Sequence, residues 1–332
     1  MAKILITYPP SSIATWYGES ALNQLAQLGE LVLRRQDDEL SEDQLIALAE
    51  GCDLIISDKP TAGTERLFRE VPGLLAFVRC AMDIKSIDIE AASRHGVLVT
   101  QAGPGFVQAV SELIVAQMIN LARGLPTYFN AYQRSETPVQ RMGRQLAGST
   151  AGIIGFGHIA VALAPVLKAL GMHVVTYDPY LQATPDGVAR VDLGTLLATS
   201  DQVICLARHS PETENLADAG FFAKMKPGAL FINASRGGLV DEGALADALH
   251  SGHLAGAALD VGRGHDDHPT ALLAQRPDVI ATPHIGGMVP EAITYQVEKT
   301  VQQARSILAG CVPDGAVNPE QAKRLLAHRP GP

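Results

Sequence analysis

Cysteine is scarce in this chain. Cys52, Cys80, Cys205 and Cys311 lie far apart and form no CxxC pair. That spacing excludes a disulfide framework and a zinc ribbon, and a reducing compartment, the cytoplasm, fits best. Charge is also sparse, at 18% of residues, and no run of four Lys or Arg occurs. With a formal net charge of −9, a nucleic-acid or anionic-membrane partner loses its electrostatic footprint. No apolar run reaches the length of a membrane span, and the opening MAKILITYPP meets its prolines too soon for a signal-peptide core. Short-period repeats and low-complexity tracts are absent.

What is present is apolar material. Hydrophobic residues make up 47% of 332, enough for two sizeable cores. Short apolar runs alternate with amphipathic stretches. Ile4–Ile6, Leu31–Leu33, Leu54–Ile56, Leu75–Val78 and Val97–Val99 read as strands. Helix-like segments fall at 19–28 and 41–49. Each strand candidate is almost wholly apolar, as in a parallel sheet covered on both faces. Val107, Val110, Ile114, Met118 and Leu121 recur at helical spacing. The polar stretch 124–145, with Pro126 and Pro138, reads as a connecting arm. A second series follows, with strands at 152–154, 174–177, 203–206, 230–233, 257–260 and 279–281 and a last helix over 290–308. The rhythm predicts an α/β protein with two doubly wound parallel sheets, Rossmann-like and flavodoxin-like.

The sharpest local signal is TAGIIGFGHIA at 150–160. It places Gly155-x-Gly157-x-x-Ala160 directly after an apolar strand and before a helical run. Gly155 allows a tight turn, Gly157 lets backbone approach a pyrophosphate, and Ala160 is small enough for close helix–strand packing. The helix N-terminus, opened by His158 and Ile159, aims its free N–H groups at phosphate. His158 can reach a pyrophosphate oxygen or stand exposed and uninvolved. The next strand ends in Asp178, where a carboxylate can accept both ribose hydroxyls of NAD and repel the 2′-phosphate of NADP. NAD is therefore the expected cofactor. Pro165 falls inside the expected helix, where a kink or an early end is expected.

Two residues with catalytic chemistry also end apolar strands, at the edge where open α/β sheets bind ligands. Arg236 offers a planar fork of donors for a substrate carboxylate and carbonyl. His284 can give a proton to a carbonyl oxygen and take it back. Their surroundings, LFINASRGGLVDEGAL at 230–245 and DVIATPHIGG at 278–287, resemble the signatures of the D-isomer-specific 2-hydroxyacid dehydrogenases, and the resemblance runs along nearly the whole chain. It implies that Asp260, in AALDVG, lies beside the nicotinamide, with the backbones of Ala234 and Gly286 lining the same ring. It also implies a small-molecule substrate and a homodimer paired through the NAD domains with help from the 124–147 arm.

The sequence departs from that pattern in two places. Relatives carry a Glu five residues after the Asp of the ALDV-like strand, which pairs with the catalytic His. Here the position is His265, in a loop without Glu that continues Asp266-Asp267-His268. His265 itself, Asp266 or Asp267 is the candidate replacement, or nothing replaces the Glu. The same run has metal-ligand character, but adjacent ligands rarely all face one ion and no metal is expected. The second departure is the substrate loop. Ala81, Met82 and Asp83 stand where the resemblance implies a Gly-x-Gly cradle for a carboxylate, and Lys85 replaces an acidic residue. An Asp there is unfavourable unless Arg79 or Lys85 neutralises it, which predicts a substrate bearing a cationic or hydroxyl-rich group. Trp16 and Tyr17, in a Pro- and Ser-rich loop, face the same cleft or serve packing.

The reading is a substrate domain of residues 1–103 and 288–332, an NAD domain of 104–287, and a cleft between them. The expected reaction is hydride transfer between NAD(H) and a 2-keto or 2-hydroxy acid or a related carbonyl compound. The alternative is a catalytically weak NAD-binding regulator.

Overall fold

The structure, a computed structural model, describes residues 1–328. They fall into two units, Met1–Gly105 with the chain from Val289 onward, and Phe106–Met288. The boundaries lie two residues and one residue beyond those expected from sequence.

The first unit is built on a five-stranded parallel sheet of β1 (Ala2–Ile6), β2 (Gly29–Leu33), β3 (Leu54–Ser57), β4 (Ala76–Arg79) and β5 (Leu98–Gln101), in the order β2-β1-β3-β4-β5. That is the flavodoxin-like order. Every residue of β3 and β4 is buried, which explains why these segments read as continuous apolar runs. The helix Pro290–Leu308 belongs to this unit and packs Val297, Val301, Ala304 and Ile307 into the cluster of Ile4, Ile6, Ile56 and Val78. Each such aliphatic side chain contributes about 1.5–3 kcal/mol on full burial.

The second unit carries seven parallel strands: β6 (Thr150–Ile154), β7 (His173–Tyr177), β8 (Val188–Arg190), β9 (Gln202–Cys205), β10 (Leu230–Asn233), β11 (Gly256–Leu259) and β12 (Val279–Ala281). Their order is β12-β11-β10-β9-β6-β7-β8. The winding reverses between β6 and β9, and that switch point opens a crevice at the carboxyl ends of the strands. The helix Val107–Arg123 lays Val110, Ile114 and Met118 on one face of this sheet.

Several local expectations need correction. Residues Pro10–Trp16 form a helix rather than a loop, with Pro10 in its first turn, where no N–H is required. Tyr17 is buried and bonded to Thr300, so it serves packing, while Trp16 stays partly exposed. The first half of the arm is likewise a helix, Leu125–Gln133, again opened by a proline. The helix His158–Ala169 does not end early at Pro165 but runs four residues past it. Pro165 lacks the N–H that would bond to Val161 O in the middle of the helix, and the turns on either side continue through it. Among the described residues no helix is long and apolar enough to cross a membrane.

Candidate active site

The glycine turn after β6 has the geometry its sequence implies. Gly155 has φ +85°, and a Cβ there would lie 2.6 Å from Ala207 Cα, so both conformation and space demand glycine. Its amide donates to Tyr177 O at 2.9 Å, closing the turn against β7. Nothing stands within 4 Å of where a Cβ on Gly157 would be. Gly157 caps the helix His158–Ala169 with no side-chain bond, so no cap side chain takes the first-turn amides of this twelve-residue helix. Ala160 is fully buried in the sheet-facing cluster.

Asp178 is half-buried at the end of β7. Its Oδ2 accepts from Phe156 N and its Oδ1 from Tyr180 N, each at 2.8 Å. The carboxylate thus fixes the middle residue of the glycine turn, and each oxygen keeps a lone pair for a further donor. An open glycine, uncapped amides and a strand-end carboxylate form a donor and acceptor set suited to the pyrophosphate and ribose of a dinucleotide. His158 is exposed beside this turn and Ile159 half-buried.

Arg236 follows β10. The buried Asn233 staples the bend: its Oδ1 accepts from Ser235 N at 3.1 Å and its Nδ2 donates to Arg236 O at 3.0 Å. Ser235 Oγ donates to Ala207 O at 2.6 Å, tying this bend to the end of β9. The Arg236 guanidinium donates to Ser235 O at 2.7 Å. Among the described residues no carboxylate lies within ion-pair distance of it, and Asp241 and Glu242 are engaged elsewhere. Gly237 is packed so closely that a Cβ would lie 2.0 Å from Gly262 O. Gly237→Ala should therefore lower stability by about 3 kcal/mol. A thermal unfolding midpoint unchanged from wild type would contradict this packing.

His284 follows β12 in a left-handed conformation, φ +54°. Asp260, almost fully buried at the end of β11, holds it there. The Asp260 carbonyl accepts from His284 N at 2.9 Å, and its carboxylate accepts from Thr282 Oγ1 at 2.6 Å, Ile285 N at 2.9 Å and Gly286 N at 2.8 Å. Gly286 approaches so closely that a Cβ would lie 2.9 Å from Asp260 Oδ2. The Asp260 carboxylate thus organises the histidine turn. Asp267 Oδ2 lies 3.9 Å from His284 Nδ1. His265 turns outward, its side chain 92% exposed, with Nδ1 3.0 Å from Asp266 Oδ2. Among the described residues no group of three or more His, Cys, Asp or Glu converges as metal ligands.

Two residues missed in the sequence shape this region. Arg263 donates to Val240 O, Glu214, Asn215 and Gly238 O. Hydrogen bonds from His209 and Arg263 hold the Glu214 carboxyl below the usual range. Glu242 accepts from Arg263 N and from Thr270 Oγ1. Glu242 lies inside the 230–245 segment and Arg263 outside it, and only their tertiary partners reveal these roles.

In the first unit, Ala81, Met82 and Asp83 follow β4 and are half-buried, and none has positive φ. Their backbone thus suits residues other than glycine. Asp83 Oδ1 accepts from Lys85 N at 3.0 Å. Asp83 favours the charged form of Arg79 across space, but the guanidinium donors are used elsewhere. Arg79 is fully buried and donates to the carbonyls of Asp58, Lys59 and Thr61 and to Ser86 Oγ. Burial pushes its pKa below the ordinary guanidinium value.

Residues 115–286 match the family model described as D-isomer specific 2-hydroxyacid dehydrogenase, NAD binding domain. The chain belongs to that family. It is 33% identical over 322 residues to the D-3-phosphoglycerate dehydrogenase of Synechocystis, covering 96% of this chain and 56% of the relative. To the Mycobacterium tuberculosis enzyme of the same name it is 34% identical over 319 residues, covering 92% and 60%. The chain thus spans little more than half the length of these relatives. Among solved structures, a protein of Thermus thermophilus superimposes with TM-score 0.83 at 28% identity, covering 95% of this chain and 99% of that one. A Polaromonas structure described as a putative D-isomer specific 2-hydroxyacid dehydrogenase, NAD-binding, gives 0.83 at 25% identity over 95% and 99%.

Proposed function

We propose that this 2-hydroxyacid dehydrogenase family member is an NAD-dependent oxidoreductase acting between a 2-keto acid and its 2-hydroxy acid. One observation carries the reading. Arg236, with no carboxylate partner among the described residues, and His284, held by Asp260, end strands β10 and β12 at one edge of one sheet. Two strand spacings separate those strands, about 10 Å, a span that a small keto acid can bridge with a donor on each side.

Gly155, Gly157, His158 and Ile159 would hold the pyrophosphate and Asp178 the ribose, with Ala234, Asp260 and Gly286 toward the nicotinamide. When bound, NADH supplies the hydride. Arg236 grips the substrate carboxylate and polarises the neighbouring carbonyl through its second N–H pair. His284, protonated, gives its proton to the carbonyl oxygen as negative charge develops there, and its neutral form takes the proton back in the oxidation. The loop of Ala81, Met82 and Asp83 is proposed as a substrate-contacting segment. Asp83 makes no ion pair among the described residues, which favours substrates with a cationic or hydroxyl group beyond the keto acid.

Phe129, Tyr132, Val139 and Met142 are exposed apolar residues along the segment after Gly124, which we assign to pairing with a second copy. All four cysteines are free thiols, which suits a reducing, cytoplasmic setting.

The functional reading is tested with a panel of 2-keto acids, including ones bearing amino and hydroxyl groups, followed at the nicotinamide absorbance. Turnover of at least one supports it. Tight NADH binding with no turnover of any would favour a regulator. Cofactor choice is a separate test. Wild type should bind NADH far more tightly than NADPH, and Asp178→Ala should weaken NADH about tenfold while narrowing the gap. Equal dissociation constants for the two in the wild type, by fluorescence titration, would sink the assignment of Asp178.

A further inference from the structure

The backbone that carries Arg236 is held on both sides. Upstream, the buried Asn233 fixes the bend through Ser235 N and Arg236 O. Downstream, the chain enters the short turn Gly237–Leu239, with Arg236 as the residue before it. Among the described residues the guanidinium itself makes one bond, to the neighbouring Ser235 O. The direction of the Arg236 fork therefore follows from where the turn beneath it is held.

Three contacts hold that turn. Gly237 packs on Gly262, and Gly238 on the His209 ring, where a Cβ would stand 2.4 Å from Nε2. The third is Arg263, from the loop after β11. Its Nε donates to Val240 O and its Nη2 to Gly238 O, each at 2.9 Å. The same Nη2 reaches the loop after β9, at 2.8 Å from Glu214 Oε1 and 2.5 Å from Asn215 Oδ1. Glu214 also accepts from His209 Nε2 at 2.5 Å, so the ring against Gly238 is tied to the same carboxylate. One guanidinium thus joins the loops that follow three neighbouring strands, β9, β10 and β11.

We propose that Arg263 is a positioning residue for Arg236: it clamps the Gly237–Leu239 turn and so fixes the direction from which the Arg236 fork meets a substrate carboxylate. The proposal rests on the reading of Arg236 as the carboxylate donor. A planar guanidinium suits the task, because its fixed fork serves two carbonyls of one turn and a carboxylate together. The Arg263–Glu214 pair is partly exposed, 36% and 40%, so it adds little stability as an ion pair. What the cluster supplies is geometry, and a displacement of about 1 Å in a group that orients substrate costs up to about 100-fold in rate.

The loop of Arg263 does not depend on its own side chain. Arg263 N donates to Glu242, which also accepts from Thr270 Oγ1, and Gly262 N donates to Asp267 O at 2.7 Å. Arg263→Met keeps these bonds and the apolar stem, and removes only the clamp.

The test is a double-mutant cycle in the full chain, combining Arg263→Met with Arg236→Lys. It is read by titrating oxalate, a probe with two adjoining carboxylates, into the NADH complex, and by kcat/KM with the best substrate of the panel. Arg263→Met should weaken oxalate about tenfold and lower kcat/KM by about 10–100-fold. NADH affinity should change less than about threefold, because the Gly155 turn is held separately by Tyr177 O and Asp178. Arg263→Lys keeps the charge toward Glu214 and one donating group, and should recover about half of the loss on a logarithmic scale. In the Arg236→Lys background, Arg263→Met should add less than about a further twofold, since the fork that it positions is gone. Equal losses in both backgrounds, or no loss in the wild-type background, overturn the proposal. A fall in NADH affinity as large as the fall in oxalate affinity also overturns it, by making Arg263 a general support of the fold. An Arg236→Lys variant with wild-type oxalate binding and kcat/KM would instead overturn the reading of Arg236, and the proposal with it.

Discussion

His284→Asn should lower kcat for keto-acid reduction by about 10²–10⁴, the usual contribution of a positioned general acid. The substitution is chosen for the backbone. His284 sits at φ +54°, a region that Asn enters more readily than most residues. Its amide can still donate to Asp260 O and Thr282 O, as the histidine does at 2.9 Å each. The Asp260 carboxylate would keep its bonds to Thr282, Ile285 and Gly286. The turn should therefore survive, and NADH affinity should change less than about threefold. Stopped-flow or steady-state absorbance with the best substrate of the panel measures the first quantity, and fluorescence titration the second. Loss of NADH binding in step with loss of turnover would mean that His284 supports the fold of the site rather than its chemistry.

Arg236→Lys should lower kcat/KM by about 10²–10³ although the charge is kept. An ammonium is a single point of donation, whereas the guanidinium presents parallel N–H groups to a carboxylate and a carbonyl together. The loss should fall on both kcat and KM, because carboxylate binding acts in the ground state and carbonyl polarisation only as charge develops. The surroundings make this a clean experiment. Asn233 and Ser235 hold the bend through backbone groups and their own side chains. Among the described residues the Arg236 side chain contributes one bond, to a neighbouring carbonyl. A Lys variant with near wild-type kcat/KM would reduce Arg236 to a surface cation.

Much of the fold was legible because parallel strands buried on both faces leave unbroken apolar runs. The glycine turn was legible because Gly155 is demanded by conformation and space that no other residue satisfies, while Gly157 leaves the space beside the turn open. Arg236 and His284 were legible as polar residues at strand ends inside specific motifs. The helices Pro10–Trp16 and Leu125–Gln133 were not, because proline in a first turn looks like a breaker in sequence while being neutral in structure. The edge strand β8 is three residues long and too short to show a period. The burial of Arg79 was not legible, because sequence gives its charge and not its surroundings; once buried, its donors go to three carbonyls. Which of His265, Asp266 and Asp267 stands nearest His284 was beyond sequence for a similar reason. Adjacent residues differ in direction only through backbone dihedrals, and two left-handed residues in succession, Asp266 and Asp267, reverse the ordinary alternation.

The central claim is direct hydride transfer to C2 of a keto acid with proton delivery from His284. Its most direct test is a single-turnover reaction of the wild-type enzyme with NADH deuterated at the transferring carbon, in ordinary water, using the best substrate of the panel. The account predicts deuterium at C2 of the product hydroxy acid, in the D configuration, at one atom per NADH consumed. Product lacking the label, or of L configuration, would contradict it.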